Sequence, residues 1–259
     1  MRRIRLDVAY DGTDFYGWQV QPGLPTIQGE LQRVLAEIEK RPVHVAGSGR
    51  TDAGVHALQQ VAAVSLQNPI PVDNLRRALN RLLPASIRVL RAVEAAADFH
   101  PRYHALSKTY EYRIYRGEVC SPFERRWVHH HPYPLDEQAM MAVASLFEGQ
   151  YDFSAFAAAD ERDSLGLSKV RRIYLSRLER PEPDRLVYTV RGSGFLKHMV
   201  RNIVGVLLEV GKGNCGQVDI ERLLSGVGRA GPTAPPHGLF LISVEYDEKL
   251  FQRGPEAQK

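Results

Sequence analysis

Apolar and polar residues alternate at the start of the chain. Ile4, Leu6, Val8 and Tyr10 occupy every second position, and a period of two predicts a half-buried strand. The period then changes. After Pro25, with Thr26 as a cap, Ile27, Leu31, Val34, Leu35 and Ile38 fall at helical spacing. Short strands are expected at Pro42–Ala46 and Leu58–Leu66. Leu75, Ala78, Leu79 and Leu82 mark a second helix whose opposite face carries Arg76, Arg77 and Arg81, and Ile87, Val89 and Val93 close with a strand.

The same order recurs further on. Tyr110, Tyr112 and Ile114 alternate along a strand, and Leu135, Ala139, Ala142, Val143 and Leu146 make a helix. Val170–Leu178 and Leu186–Val190 read as two strands. Leu196, Met199, Val200, Ile203, Val204, Leu207 and Leu208 form the strongest helical stripe of the chain. A short extra helix follows near Val218–Leu224, then a strand through Phe240, Ile242, Val244 and Tyr246. Two βαββαβ units predict an α+β protein of two ferredoxin-like halves with antiparallel sheets, joined around a central cleft. The halves are expected at residues 1–105 and 106–247, with a disordered charged tail at 248–259.

Composition narrows the partners. Of 259 residues, 34 are Lys or Arg and 30 are Asp or Glu, so the net charge of +4 is a small excess whose placement matters more than its size. The two cysteines, Cys120 and Cys215, form no Cys-x-x-Cys, so neither a zinc ribbon nor a redox dithiol is expected. No signal segment and no run of transmembrane length stands out, which predicts a cytoplasmic protein.

The densest candidate for chemistry is Gly47-Ser48-Gly49-Arg50-Thr51-Asp52-Ala53-Gly54-Val55-His56. A carboxylate and a guanidinium two residues apart can share one side of extended chain, and the pair would keep Asp52 ionised. Read from the residues alone, a glycine-rich hairpin with Asp in its turn is the favoured reading. The segment is not a dinucleotide fingerprint, because Asp52 stands where the third glycine belongs. Basic clusters suited to a phosphate backbone are Arg76, Arg77 and Arg81; Arg102, Lys108, Arg113 and Arg116; Arg125 and Arg126; Lys169, Arg171 and Arg172; and Lys197 with Arg201. Each also fits a solvated face. Gly192-Ser193-Gly194, just before the expected late helix, would offer N–H groups to a phosphate. His129-His130-His131 alternate faces on a strand and have no companion ligand pattern, so no metal is expected there. Phe15, Tyr16 and Trp18 suit base stacking or core packing.

The Thr-Asp-Ala-Gly-Val-His stretch resembles the signature of the tRNA pseudouridine synthase A (TruA) family. Tyr10-Asp11-Gly12-Thr13, Phe15-Tyr16-Gly17-Trp18-Gln19 and Thr26-Ile27-Gln28-Gly29-Glu30-Leu31 resemble its opening, and Phe99–Tyr103 with Lys108–Tyr112 its central segment. Phe195–Gly205 and Thr233–Leu239 resemble its late helix and closing motif. The blocks keep the family's order from about residue 3 to residue 246. The resemblance implies that Asp52 is the catalytic aspartate, acting as nucleophile or as base. It implies that Tyr110 packs on the target base and that Arg50 and Arg201 are the basic residues nearest the carboxylate. The implied reaction breaks the bond from ribose to base nitrogen, turns the base and rejoins it through carbon, with no cofactor and no metal. The implied substrate is tRNA, at uridines 38, 39 and 40 of the anticodon stem-loop, with Tyr110, Arg102, Lys197, Arg76 and Arg77 as substrate-binding residues. The implied assembly is a homodimer. Asp160–Lys169 follows no pattern of the family and is expected to be a mobile loop. A narrower or different RNA target, and a non-catalytic RNA-binding module, are the other readings; a pure binder has no use for the carboxylate. A zinc base deaminase would need a His-x-Glu and Pro-Cys-x-x-Cys signature that is absent.

Overall fold

The computed structural model describes residues 1–160 and 166–251. The chain forms two compact units, Met1–Leu106 together with the chain from Leu241, and Ser107–Phe240. It is an α+β protein.

In the first unit, β1 (Arg2–Tyr10), α1 (Ile27–Glu39), β2 (Val45–Gly47), β3 (His56–Leu66), α2 (Val72–Leu82) and β4 (Ile87–Glu94) follow one another as the periodicity predicts. β1 lies antiparallel between β4 and β3, pairing Ile4 with both Glu94 and Val64. The other edge of β3 takes β2 along Ala62–Val64. Because β2 has only three residues, it leaves part of that edge open, and β10 (Leu239–Glu245) fills it. For this reason the chain from Leu241 clusters with the first unit, whereas the repeat assigned the final strand to the second half.

Thr26 caps α1 by accepting from the Gly29 N–H at 3.2 Å, and Lys40, at φ 58°, ends it. The apolar stripes of α1 (Ile27, Leu31, Val34, Leu35) and α2 (Leu75, Leu79) are buried, as are Ile4, Leu6 and Val8. The opposite face of β1 is covered as well. Arg5 and Asp7 are buried and paired at 2.6 Å, and the Arg5 guanidinium lies 4.5 Å from the Phe251 ring and 5.1 Å from that of Tyr246. Phe251, expected in a disordered tail, supplies part of this cover. Glu248–Phe251 is a 3-10 turn, held by the Leu250 carbonyl accepting from the Ala96 N–H at 3.2 Å; residues 252–259 lie outside the described residues. The reason is apolar: Phe251 packs edge-on against Phe99 at 5.1 Å and Tyr246 at 5.9 Å.

The second unit adds elements that the repeat did not contain. β5 (Ser107–Tyr115), β9 (Arg185–Gly192), β8 (Val170–Glu182) and β7 (Gly149–Asp152) form an antiparallel row, and β6 (His129–His130) runs parallel to the end of β5. α3 (Glu137–Ala144), α4 (Met199–Gly211) and α5 (Gln217–Leu224) complete it. α4 is buried on nearly every face and serves as the core helix of this unit. Phe147, Phe153 and Phe156 are fully buried, with Phe156 between the other two at 5.6 and 5.8 Å.

Candidate active site

The Gly47–His56 loop joins β2 to β3. The sequence places it there, and the structure shows what holds it. Residues 11–18, directly after β1, wrap onto it. The Gly12 N–H donates to His56 Nδ1 at 3.1 Å, and Asp11 Oδ1 lies 3.1 Å from the same nitrogen. Asp11 also accepts from the N–H and hydroxyl of Thr13 at 3.0 and 2.6 Å. The Trp18 N–H donates to the Thr51 carbonyl at 3.0 Å, and the Gly54 N–H to the Phe15 carbonyl at 3.3 Å. Gly17 is required here on two counts. Its φ is +85°, and a Cβ would sit 2.6 Å from the Thr51 carbonyl oxygen. Phe15 and Trp18 are core residues, whereas Tyr16 is about half exposed.

Asp52 is half-buried between buried Thr51 and a turn in which the Val55 N–H donates to the Asp52 carbonyl at 3.2 Å. Arg50 is exposed two residues earlier on the same loop. Beneath the loop lies a polar cluster that period-two reading did not mark. The Gln60 side chain, fully buried within β3, accepts from Ser48 Oγ at 2.5 Å and donates to the Gly49 carbonyl at 3.2 Å. The hydroxyls of Tyr10 and Thr51 meet at 2.8 Å. Burial pushes the Tyr10 phenol up to about 12, so it is protonated at neutral pH.

Tyr110, Lys197 and Arg201 belong to the second unit. Tyr110 stands on β5, buried, with its ring edge-on to Phe195 at 5.1 Å. Arg201 leaves the first turn of α4, and its Nε donates to the Ala234 carbonyl at 2.8 Å while the Ala234 N–H donates to the Arg201 carbonyl at 3.1 Å. The next residue repeats the clasp. Asn202 donates to the Phe156 carbonyl at 2.7 Å and accepts from the Thr233 hydroxyl at 2.6 Å. Tyr112 donates to the Pro235 carbonyl at 2.9 Å. The Thr233–Leu239 segment thus holds α4 and β5 in register, a role its sequence did not disclose.

Lys197 is exposed and donates to the Ala159 carbonyl at 3.3 Å. Arg102 is exposed over the Tyr103 ring at 5.8 Å, and on α2 Arg77 is exposed and Arg76 part-exposed. Gly192-Ser193-Gly194 does not open a helix. Gly192 ends β9, the Ser193 N–H is taken by the Arg172 carbonyl at 2.9 Å, and α4 begins only at Met199 after His198 at φ 63°. The His129 ring lies 5.8 Å from His131 and 6.2 Å from His237, and burial with those neighbours pushes it down to about 4. Of Asp160–Lys169, residues 161–165 lie outside the described residues.

The family model described as tRNA pseudouridine synthase matches residues 8–104 and 143–247 of this chain. A tRNA pseudouridine synthase A of Solibacter usitatus (strain Ellin6076) is 65% identical over 95% of this chain and 100% of its own length. One from Halalkalibacterium halodurans is 46% identical over 92% of this chain and 90% of its own length. One from Citrifermentans bemidjiense is 46% identical over 96% and 99%.

Proposed function

This chain belongs to the tRNA pseudouridine synthase family and is an isomerase acting on tRNA, and from that premise we propose that Asp52 is its catalytic carboxylate and that its targets are uridines 38, 39 and 40 of the anticodon stem-loop. One observation carries the assignment of Asp52. Its loop is clamped from above by residues 11–18 and from below by β3, yet Asp52 itself remains half-buried on the surface of that clamp.

A carboxylate held in this way can attack an electrophilic carbon or take a proton beside the anomeric carbon. The bond from ribose C1′ to base N1 then breaks, and the base turns and bonds C1′ through C5. The carboxylate gives back the bond or proton it took, and the C5 proton is lost while N1 gains one, so the product is an isomer. A base within a stem must first leave its stack. Tyr110 offers a ring face to the detached base, and stacking of this kind contributes about 1–3 kcal/mol. Arg50 and Arg201 are the basic partners of the reacting groups. Arg102, Lys197, Arg76 and Arg77 grip the phosphate backbone. The working form is a cytoplasmic homodimer; among the described residues no helix is long and apolar enough to cross a membrane.

Asp52→Asn tests the central assignment. It keeps the shape of the side chain and removes its charge. Pseudouridine formation by the purified variant should fall by at least about 100-fold, while tRNA binding persists. A variant retaining about a tenth of the wild-type rate would remove Asp52 from the chemistry, since a general base alone contributes more.

A further inference from the structure

The polar groups beneath the Gly47–His56 loop are expensive where they stand. Ser48 and Gln60 are fully buried, and Tyr10 and Thr51 are exposed by only 4% and 7%. A buried amide or hydroxyl costs stability unless each polar atom is paired. Here they are paired, and the partners converge on one stretch of backbone. Gln60 Oε1 accepts from Ser48 Oγ at 2.5 Å and from the Val61 N–H at 3.1 Å, and Nε2 donates to the Gly49 carbonyl at 3.2 Å. The Tyr10 hydroxyl meets Thr51 Oγ1 at 2.8 Å. The Ser48 N–H is tied separately to the Val61 carbonyl at 2.8 Å.

Residues 48, 49 and 51 are therefore each anchored to the strand pair β1–β3, directly upstream of Asp52. The anchors are rigid. Gln60 lies in mid-strand opposite Val8, and the Tyr10 ring packs against buried Trp18 at 6.2 Å. Apolar residues of similar volume would fill this space without the desolvation cost, so core filling alone does not account for the choice.

We propose that Tyr10 and Gln60 are positioning residues for the isomerisation, fixing the Ser48–Thr51 backbone from behind so that the Asp52 carboxylate is held at one point relative to the ribose. The proposal rests on the assignment of Asp52. A displacement of about 1 Å in a reacting group costs about 100-fold in rate, which makes the stiffness of this short stretch a kinetic quantity.

The experiment removes one hydroxyl–hydroxyl hydrogen bond from either side. Tyr10→Phe keeps the ring on Trp18, Thr51→Val keeps the volume, and Thr51→Ser keeps the hydroxyl. Single-turnover pseudouridine formation at saturating tRNA, the Kd for tRNA and the thermal midpoint are measured for each, with Asp52→Asn alongside. The first two variants should each lose about 10- to 100-fold in rate, with the Kd unchanged. The double variant should lose no more than either single, because both delete the same hydrogen bond. Thr51→Ser should recover the rate. If either single variant fails to fold, the other reads the same hydrogen bond, and Gln60→Leu reads the second anchor. Wild-type rates in Tyr10→Phe beside an inactive Asp52→Asn would overturn the positioning role alone. So would a rate loss that only follows the loss of folded protein. An active Asp52→Asn would instead overturn the assignment on which the proposal rests.

Discussion

Tyr110 combines a ring and a hydroxyl, and the two are separable. Its ring meets that of Phe195 in a T-shaped arrangement, with centroids 5.1 Å apart. If stacking on the base is its main task, Tyr110→Phe should stay close to wild type. Tyr110→Ala should lose a further factor of about 5 to 150 in single-turnover rate, the equivalent of a 1–3 kcal/mol stack. Equal loss in the two would assign the work to the hydroxyl. At this scale the sequence disclosed residues that stand in a motif and hid those that stand behind one. Gly47–His56 stands out because glycines, a carboxylate and a guanidinium crowd together. Its braces do not. Tyr10 reads as the last apolar position of a strand, and Gln60 as a polar residue in another. Only pairing across 41 and 11 residues of chain, which periodicity does not report, brings them to one loop.

Helices were legible because burial of one face imposes a period. α1 and α2 lie close to where their stripes put them. The stripe also misled at one end. Leu196 keeps helical spacing with Met199 and Val200, yet α4 starts at Met199, because His198 at φ 63° turns the chain. β7 and β6 were not legible. β7 is an edge strand of Gly149, Gln150, Tyr151 and Asp152, largely exposed, and β6 has two residues, so neither has an alternation to show. α4 also carries a constraint that no stripe records. A methyl group on Gly205 would overlap the Pro232 carbonyl. Gly→Ala within a helix ordinarily stabilises by about 1 kcal/mol, but overpacking costs about 1–3 kcal/mol. Gly205→Ala is therefore expected to lower the thermal midpoint, by about 2–4 °C for each net kcal/mol in a protein of this size. A raised midpoint would show that the Gly231–Ala234 segment yields instead.

For the molecule as a whole, charge is a matter of placement. A net charge of +4 says little, but Arg77 and Arg81 are exposed on α2 beside part-exposed Arg76. Arg81 lies in the last turn, where it also stabilises the helix dipole, so the cluster has a structural reason to exist without RNA. Reversing all three to Glu separates the two. If they touch phosphates, the slope of log K for tRNA against log salt should become shallower by about 0.7 to 0.9 for each phosphate that is no longer neutralised. An unchanged slope makes them a solvated face. The division of the chain matters in another way. The unit that carries Asp52 is assembled from two stretches, Met1–Leu106 and the chain from Leu241. On a ribosome, at about 5–20 residues per second, several seconds or more separate the two. Through that interval β3 lacks the strand that fills its edge, and Arg5 and Asp7 lack the cover of Tyr246 and Phe251. The unit that carries Asp52 is thus completed only once the chain from Leu241 has been made.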